Sequence, residues 1–194
     1  ESMILSRIME FVNSEKEFLE ERIYLIGGLK EYLRQLFKSH ATASSGPDWQ
    51  LAAAITAVLN NFTIITGGPG TGKTTTVARI LSVLFSLNPE LKVALAAPTG
   101  KAAARMADSL RSADVSSNIR EQFQLLEPST IHRLLKYQRD TPYFKHNRQN
   151  PLNFDVVIVD EASMIDVALF AKLLDAIGKD TRLILLGDKD QLAS

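Results

Sequence analysis

Four short apolar runs divide most of this chain, at residues 62–65, 93–97, 155–159 and 183–186. Their length is that of buried β-strands. Between them, apolar residues recur at every third or fourth position, which is the spacing of a helix with one apolar face. Strands that alternate with amphipathic helices favour an α/β fold with a doubly wound, mostly parallel sheet. Because parallel strands end at a common edge, the side chains that follow them are expected to meet there.

Caps and breakers mark the ends of the predicted helices. Asp48 is a good N-cap, whereas Asn88-Pro89 and Gly178 are breakers. The predicted helices run from Asp48 to about Asn60, from the glycine-rich segment at 67–72 to Asn88, around 119–126, and from about Val167, after the N-cap Asp166, to Ile177.

The first forty residues have apolar groups at helical spacing, with a break at Gly27-Gly28. They predict short helices, which either simply pack on the rest of the chain or dock onto a partner. Residues 39–47 are small, polar and rich in breakers, as expected of a linker. We therefore expect a helical N-terminal region with its linker, residues 1–47, followed by a domain formed by residues 48–194.

Composition narrows the class of protein. A hydrophobic fraction of 45% is enough for a folded core. The chain contains no cysteine, which excludes disulfides and thiolate metal sites. No apolar run approaches about 20 residues, the length that crosses a bilayer, and no basic segment followed by an apolar block suggests export. A cytoplasmic protein without membrane contact is expected.

Charge is balanced overall, with 22 basic and 22 acidic side chains, but it is unevenly distributed. Residues 88–150 hold ten Lys and Arg against six Asp and Glu, whereas residues 151–194 hold four against eight. If the protein binds an anionic polymer, residues 88–150 are the expected place of contact. Alternatively, these charges are simply solvated. Residues 136–151 interleave basic and aromatic side chains. This pattern is typical either of a segment that binds a single nucleic-acid strand by charge and stacking, or of a solvated loop.

The most informative segment is GGPGTGKT, which matches G-x-x-x-x-G-K-[ST] through Gly67, Gly72, Lys73 and Thr74. Its glycines let the backbone curl so that N–H groups face one phosphate at the positive end of the next helix. Lys73 would meet the β and γ phosphates, and the Thr74 hydroxyl would ligate Mg²⁺. The predicted phosphate-binding residues are Gly67, Gly68, Pro69, Gly70, Thr71, Gly72, Lys73, Thr74 and Thr75. Nearby, the amide of Gln50 suits the edge of an adenine or is merely solvated.

The strand predicted at 155–159 ends in Asp160-Glu161. Carboxylates are costly to bury unpaired, so a bound cation or a catalytic role explains the pair. Asp160 would hold Mg²⁺ through its water shell, and Glu161 would orient and polarise an attacking water. After the last predicted strand, Gln191 would place a neutral amide at the same edge, where it would sense a terminal phosphate.

Two further segments combine helix caps with polar or basic residues. Thr99 and Gly100 lie where a strand gives way to a helix, so they either receive a nucleic-acid phosphate or form an ordinary cap. In PSTIHRLL, Ser129 or Thr130 caps a short helix that carries His132. No second His or Cys stands at ligand spacing from His132, so metal coordination is not expected there.

The ordered set GGPGTGKT, APTGKAA, STIHRLL, DEASMID and GDKDQL resembles the first motor domain of superfamily 1 DNA helicases. It is most similar to the RecD-like group, which includes the alpha subunit of exodeoxyribonuclease V. The resemblance covers residues 48–194 and implies a RecA-like core. It also implies a motor that uses ATP and Mg²⁺ to move 5′ to 3′ along single-stranded DNA. Partner subunits of an exodeoxyribonuclease V-type recombination and repair complex are implied as well.

The resemblance also assigns residues. By position, Gln50 would read adenine, Lys73 and Thr74 would hold phosphates and Mg²⁺, Asp160 and Glu161 would serve metal and water, and Gln191 would couple the γ-phosphate to DNA. The residues that match the strand-contacting signatures of the family are Thr99, Gly100, Lys101, Thr130 and His132.

The sequence departs from the family in one respect, because it stops at Ser194, before a second RecA-like domain. In the family that domain supplies an arginine opposite the γ-phosphate, which is worth about 10³–10⁵ in rate. Residues 1–194 are therefore expected to bind nucleotide but to hydrolyse it poorly. Two other classes stay open. One is a nucleotide-dependent binding or scaffold subunit, against which Glu161 argues. The other is a small-molecule kinase, which leaves STIHRLL and GDKDQL unexplained.

Overall fold

A parallel five-stranded sheet forms the centre of the protein, as seen in a computed structural model. The structure describes residues 2–37, 48–68, 70–138, 141 and 143–188. The strands are β1 (Phe62–Thr66), β2 (Val93–Ala97), β3 (Pro128–Thr130), β4 (Val156–Val159) and β5 (Arg182–Gly187), in the order β1-β5-β4-β2-β3. All four pairings are parallel, so the predicted α/β fold with a parallel sheet is confirmed.

Within the described residues, eight α-helices and a 3-10 turn connect and flank these strands. They are α1 (Ser2–Gly28), α2 (Lys30–Leu36), α3 (Trp49–Leu59), α4 (Lys73–Leu87), α5 (Gly100–Arg111), α6 (Ser117–Gln124), α7 (Ile131–Leu134) and α8 (Val167–Ala176), with the 3-10 turn at Ala162–Met164. The predicted caps are confirmed, because Asp48 accepts from Gln50 N and Leu51 N, and Asp166 accepts from Leu169 N. Among these described helices, none is long and apolar enough to cross a membrane.

Helices cover both faces of the sheet. Alternate residues of each strand point to opposite faces, so Ile158 packs in the cluster that includes α3, α4 and α6. Its neighbour Val157 packs in the cluster that includes α1, α7 and α8. Helix α4 is buried nearly all round, at Thr76 to Phe85. The doubly wound arrangement is thereby confirmed.

The strand β3 was not predicted from the sequence. Its three residues are all half-buried and begin with a proline, so it has neither the apolar run nor the alternation that marks a strand. Only its pairing with β2, from Leu95 opposite Pro128 to Ala97 opposite Thr130, makes it part of the sheet.

The expected break at Gly27-Gly28 is found, because α1 ends at Gly28 and α2 begins at Lys30, but α1 is not short. A single helix of 27 residues runs from Ser2 to Gly28, since no breaker interrupts it until Gly27-Gly28. Phe11 is 2% exposed and its ring stacks on Phe62 of β1 at a centroid distance of 6.2 Å. The second helix, α2, buries Leu33 in the cluster on the other face of the sheet.

Polar contacts join α1 to the sheet as well. Glu15 Oε1 accepts from the backbone N–H groups of Asn61 (2.7 Å) and Phe62 (3.0 Å) at the start of β1. Arg22 donates to Leu59 O and to Asn61 Oδ1, both at 2.7 Å. Burial lowers the pKa of Arg22, which is consistent with a guanidinium held against the Leu59 carbonyl and the Asn61 side-chain amide. The packing interpretation therefore holds for the inward face of α1.

One predicted strand is less buried than its sequence suggests. Phe62, Ile64 and Ile65 were expected to form a buried strand, but Ile64 is 58% exposed. The reason is that β1 lies at the edge of the sheet, with β5 as its one neighbour among the described strands. Helix α1 covers Phe62, whereas Ile64 lines a cavity of about 320 Å³ with Ile4 and Phe170.

Candidate nucleotide and nucleic-acid site

The glycine-rich loop and the acidic pair lie at the same edge of the sheet. Both β1 and β4 pair with β5, with Ile64 opposite Leu185 and Leu185 opposite Val159. The loop and Asp160 therefore leave strands that are two spacings, about 10 Å, apart. Gly67 N also donates to Gly187 O at 3.3 Å, which fixes the start of the loop against β5.

The loop after β1 has the backbone conformation that its glycines allow. Gly70 and Gly72 have φ values of 75° and 82°, in the left-handed region that disfavours other residues. A Cβ on Gly72 would lie 2.8 Å from Nε2 of Gln50. Gly72 is thus required both by its dihedral angle and by the approach of Gln50. Pro69 lies outside the described residues.

Lys73 begins α4 and folds back over the loop. Its ammonium donates to the carbonyls of Gly67 and Gly68, the latter at 3.0 Å. Behind it, the hydroxyl of Thr76 donates to Gly72 O at 3.1 Å and is buried. The half-buried Thr74 lies one residue after Lys73 in the first turn of the helix. A cation and a hydroxyl therefore stand at the positive end of a 15-residue helix.

Two clefts of small-molecule size adjoin the first turn of α4. A cleft of about 900 Å³ is lined by Thr74, Thr75 and Arg79. A second cleft, of about 620 Å³, is lined by Gln50, Gly67, Thr71 and Lys73 among others. Both volumes lie in the range of small-molecule sites.

The acidic pair leaves β4 with an unusual backbone. Asp160 N donates to Ala96 O at 2.9 Å, which continues the pairing of β4 with β2. The next residue, Glu161, has φ 53° and ψ 37°. It is one of two non-glycine residues with positive φ in the described ranges. A conformation of this kind costs of order 1–3 kcal/mol and is concentrated at functional sites.

The two carboxylates have different partners. Asp160 Oδ1 accepts from Glu161 N at 2.8 Å, so this oxygen is oriented by the backbone. Glu161 Oε1 lies 2.6 Å from Nη2 of Arg105 on α5. Only 22% of the Glu161 side chain is exposed, against 67% for Arg105. Asp160 is therefore held in place by the backbone, whereas Glu161 forms an ion pair with the exposed Arg105.

The donors present fit Mg²⁺ bound together with a nucleotide rather than by the protein alone. No group of three or more His, Cys, Asp or Glu side chains within the described ranges is placed to hold a metal. One carboxylate at Asp160 and one hydroxyl at Thr74 are the kind of sparse, all-oxygen set that Mg²⁺ uses when phosphates and water complete its shell.

Gln50 is held by an arginine that the sequence analysis did not select. Arg79 Nη1 donates to Gln50 Oε1 at 2.6 Å, and its guanidinium lies 4.8 Å from the ring centroid of Phe37. Burial lowers the pKa of Arg79, and the nearby charge of Asp48 partly offsets this. Arg79 could have been identified from the sequence, because it is the one charged residue in the apolar run VARILSVLF.

The residues proposed to touch a strand come together from two segments. Ala97 pairs with Thr130 across β2 and β3, and a Cβ on Gly100 would lie 3.9 Å from Cγ2 of Thr130. Both hydroxyls act as caps, because Thr99 accepts from Ala102 N and Thr130 from Arg133 N, each at 3.2 Å. Each thus has the ordinary capping role that the sequence left open.

Lys101 and His132 complete this group, which we call the Thr99–Thr130 cluster (Thr99, Gly100, Lys101, Thr130 and His132). Both side chains are exposed. The imidazole of His132 packs edge-on against Phe144, with centroids 5.8 Å apart. The segment that contains Phe144 also exposes aromatic residues, at Tyr137 (63%) and Tyr143 (73%). Gln191 falls outside the described part of the chain.

Comparison with known proteins gives the relatives of this chain. A family described as an AAA domain matches residues 50–194. The RecBCD enzyme subunit RecD of Haemophilus influenzae is 42% identical over 196 residues, covering 97% of this chain and 30% of that protein. The subunit of the same name from Mycolicibacterium smegmatis is 46% identical over 158 residues, covering 77% and 28% respectively.

A third relative is the ATP-dependent RecD2 DNA helicase of Deinococcus radiodurans. It is 41% identical over 134 residues, which cover 69% of this chain and 16% of that protein. The chain thus spans less than a third of the length of each of these three relatives.

Proposed function

Because this chain belongs to the RecD-like superfamily 1 helicases, as their first RecA-like domain, we propose that it is the ATP-hydrolysing part of a motor on single-stranded DNA. The finer proposal is translocation from 5′ to 3′ within an exodeoxyribonuclease V-type recombination and repair complex. The observation that carries the proposal is the placement of the loop at Lys73 and the pair Asp160-Glu161 at one edge of the sheet.

Binding of the triphosphate is the first step that the geometry supports. The loop N–H groups and Lys73 receive the β and γ phosphates, which replace the Gly67 and Gly68 carbonyls as partners of the ammonium. Thr74 and Asp160 would hold Mg²⁺, which would neutralise charge on the phosphate oxygens. Gln50 lines the cleft beside the loop and reads the adenine edge through its amide.

Hydrolysis then depends on Glu161. The carboxylate accepts a hydrogen bond from water, orients the water towards the γ-phosphorus and takes up its proton. The new oxygen–phosphorus bond forms as the bond to the β–γ bridging oxygen breaks, which gives ADP and inorganic phosphate. We assign to Gln191 the task of signalling this change from the γ-phosphate position to the DNA.

The DNA lies on the Thr99–Thr130 cluster in this proposal. The start of α5 and the start of α7 are adjacent in space, and Lys101 is exposed beside them. Helix starts and a lysine are suitable partners for backbone phosphates, which carry no sequence information. The relatives are named as subunits of RecBCD, and we infer that this chain too works with partner subunits, in the cytoplasm.

The test uses the full-length protein that contains this chain. ATP turnover is measured with and without single-stranded DNA, and binding of a non-hydrolysable ATP analogue is measured separately. Single-stranded DNA should stimulate the unchanged protein, Lys73→Ala should lose analogue binding, and Glu161→Gln should bind the analogue without turnover. Unchanged turnover in Glu161→Gln would remove the assigned base. An ATP turnover rate that does not change when single-stranded DNA is added would refute the motor function. It would favour a scaffold subunit or a kinase.

A further inference from the structure

The ion pair between Arg105 and Glu161 joins the proposed catalytic base to another helix. Nη2 of Arg105 lies 2.6 Å from Oε1 of Glu161, at hydrogen-bond distance. A carboxylate that accepts from a guanidinium is a weaker partner for water, because one of its oxygens is already occupied. In the arrangement seen here, Glu161 is therefore not fully available to orient an attacking water.

The helix that carries Arg105 also carries the basic residue of the Thr99–Thr130 cluster. Lys101 and Arg105 are four residues apart on α5, so their side chains are neighbours on one helix face. Both are exposed, whereas Ala102, Ala103 and Met106 on the other face are buried. One exposed basic strip therefore leads from the proposed DNA contact to the proposed base.

We propose that Arg105 is a positioning residue that couples DNA to hydrolysis. Without DNA it restrains Glu161, and a backbone phosphate that reaches Lys101 competes for its guanidinium and releases the carboxylate. This inference rests on the proposed function, since it requires both the base and the strand contact.

The energetics suit a contact that can be exchanged. An ion pair whose arginine is largely exposed contributes little and is easily broken. A phosphate is a strong alternative partner, because a guanidinium binds it with two parallel charge-assisted hydrogen bonds. By the usual range for exposed pairs, loss of the restraint would change the population of free Glu161 by up to about fivefold.

Binding of DNA without nucleotide gives a readout that is independent of catalysis. The same contact that restrains Glu161 also occupies Arg105, so Glu161→Gln should release the arginine for DNA. In the full-length protein, this variant should bind a labelled oligo-dT about two- to fivefold more tightly. The slope of log affinity against log salt should steepen by about 0.7, the value for one added phosphate contact on a single strand.

Two variants separate this effect from simple removal of negative charge. Asp108→Asn removes a carboxylate from the same helix without touching Glu161, since Asp108 pairs with Arg111. It should change DNA affinity less than Glu161→Gln does. In the double variant Arg105→Ala/Glu161→Gln, the gain in affinity should disappear. If the double variant gains as much DNA affinity as Glu161→Gln, the gain comes from removing general charge repulsion between Glu161 and DNA. That result would overturn the proposal.

Turnover gives the second arm of the test. Arg105→Ala should raise hydrolysis in the absence of DNA by a few-fold and should reduce the ratio of stimulated to basal rates. If Arg105→Ala has the same ratio of stimulated to basal turnover as the protein without substitutions, and DNA stimulates both, the role of Arg105 is refuted. The proposed motor function would be unaffected by that result. Loss of stimulation in the unchanged protein would instead count against the proposed function itself.

Discussion

Arg79 of α4 donates a hydrogen bond from Nη1 to Oε1 of Gln50 on α3 across 2.6 Å. The amide nitrogen of Gln50 is thereby directed at Gly72, where a Cβ would lie only 2.8 Å from it. A charged donor assigns the two ends of the amide, since only the oxygen can accept. Gln50 therefore offers its N–H groups beside the glycine-rich loop.

We expect the Gln50 amide to set the preference for adenine. Gln50→Glu would keep the contact with Arg79 but would lose the N–H donors. The affinity for ATP should therefore fall roughly tenfold, and the selectivity for ATP over GTP should diminish. Titration of residues 1–194 with fluorescent ATP and GTP analogues measures both. Gln124→Glu, on an exposed site of α6, is the matched control. Equal selectivity in Gln50→Glu and the unchanged chain would refute the role.

The conformation of Gly72 predicts a stability effect within the loop. Gly72→Ala should lower the free energy of unfolding by about 1–2 kcal/mol, because its φ of 82° is strained for alanine and the new Cβ meets Gln50. Gly68→Ala is the control, since its Cβ would meet only Thr71 Cγ2 at 3.9 Å. Urea unfolding compares the two variants. If both lose the same stability, the close approach of Gln50 is not what makes Gly72 necessary.

Packing of α1 on the sheet predicts a larger loss. Phe11→Ala should destabilise the protein by about 3–5 kcal/mol, because it removes a ring that is 2% exposed and stacked on Phe62. Leu5→Ala on the same helix should change stability by less than about 0.5 kcal/mol, since Leu5 is 63% exposed. Denaturant midpoints give the comparison, and similar values for the two would mean that α1 is not packed as described.

Acid should weaken the attachment of α1 through Glu10. The hydrogen bond from Arg7, with a second from Arg148, lowers the pKa of Glu10 from its usual 4.5. Because the folded-state pKa is the lower one, the stabilisation is fully present above about pH 4.5 and is lost as the pH falls through the folded-state value. The Glu10 side chain is 41% exposed, so solvent screening limits the effect to below about 1 kcal/mol.

Thermal unfolding between pH 3 and 6 tests this dependence. Glu10→Gln should be less stable than the unchanged chain near pH 6 and should approach it at pH 3, whereas Glu20→Gln, at an exposed site of the same helix, should run parallel to the unchanged chain. A difference that stays constant from pH 6 to pH 3 would contradict the assignment of Glu10.

Most of the local structure could be predicted from short stretches of sequence. The strand at Val156–Val159 and the caps at Asp48 and Asp166 are found as expected, and Thr99 has the capping role that was one of its two alternatives. Each depends on interactions within a few residues, such as a carboxylate that accepts from the N–H group three positions on. The glycine-rich loop belongs with them, because its glycines and Lys73 all fall within residues 67–73.

Other features could not be read from neighbouring residues. Strand β3 exists only by pairing with β2, and Ile64 is exposed only because β1 lies at an edge of the sheet. The pairs Arg79–Gln50 and Arg105–Glu161 join residues 29 and 56 positions apart. No periodicity in the sequence encodes contacts of this length.

The sequence by itself thus determined which groups are present: a glycine-rich loop that ends in a lysine, a pair of carboxylates, and helices with their ends marked. The tertiary structure alone decided which of these groups meet, and which basic side chains restrain them. The physical reason is that local propensity depends on adjacent backbone and side-chain atoms, whereas the distance between two side chains on different elements is set by strand order and by the packing of helices on the sheet.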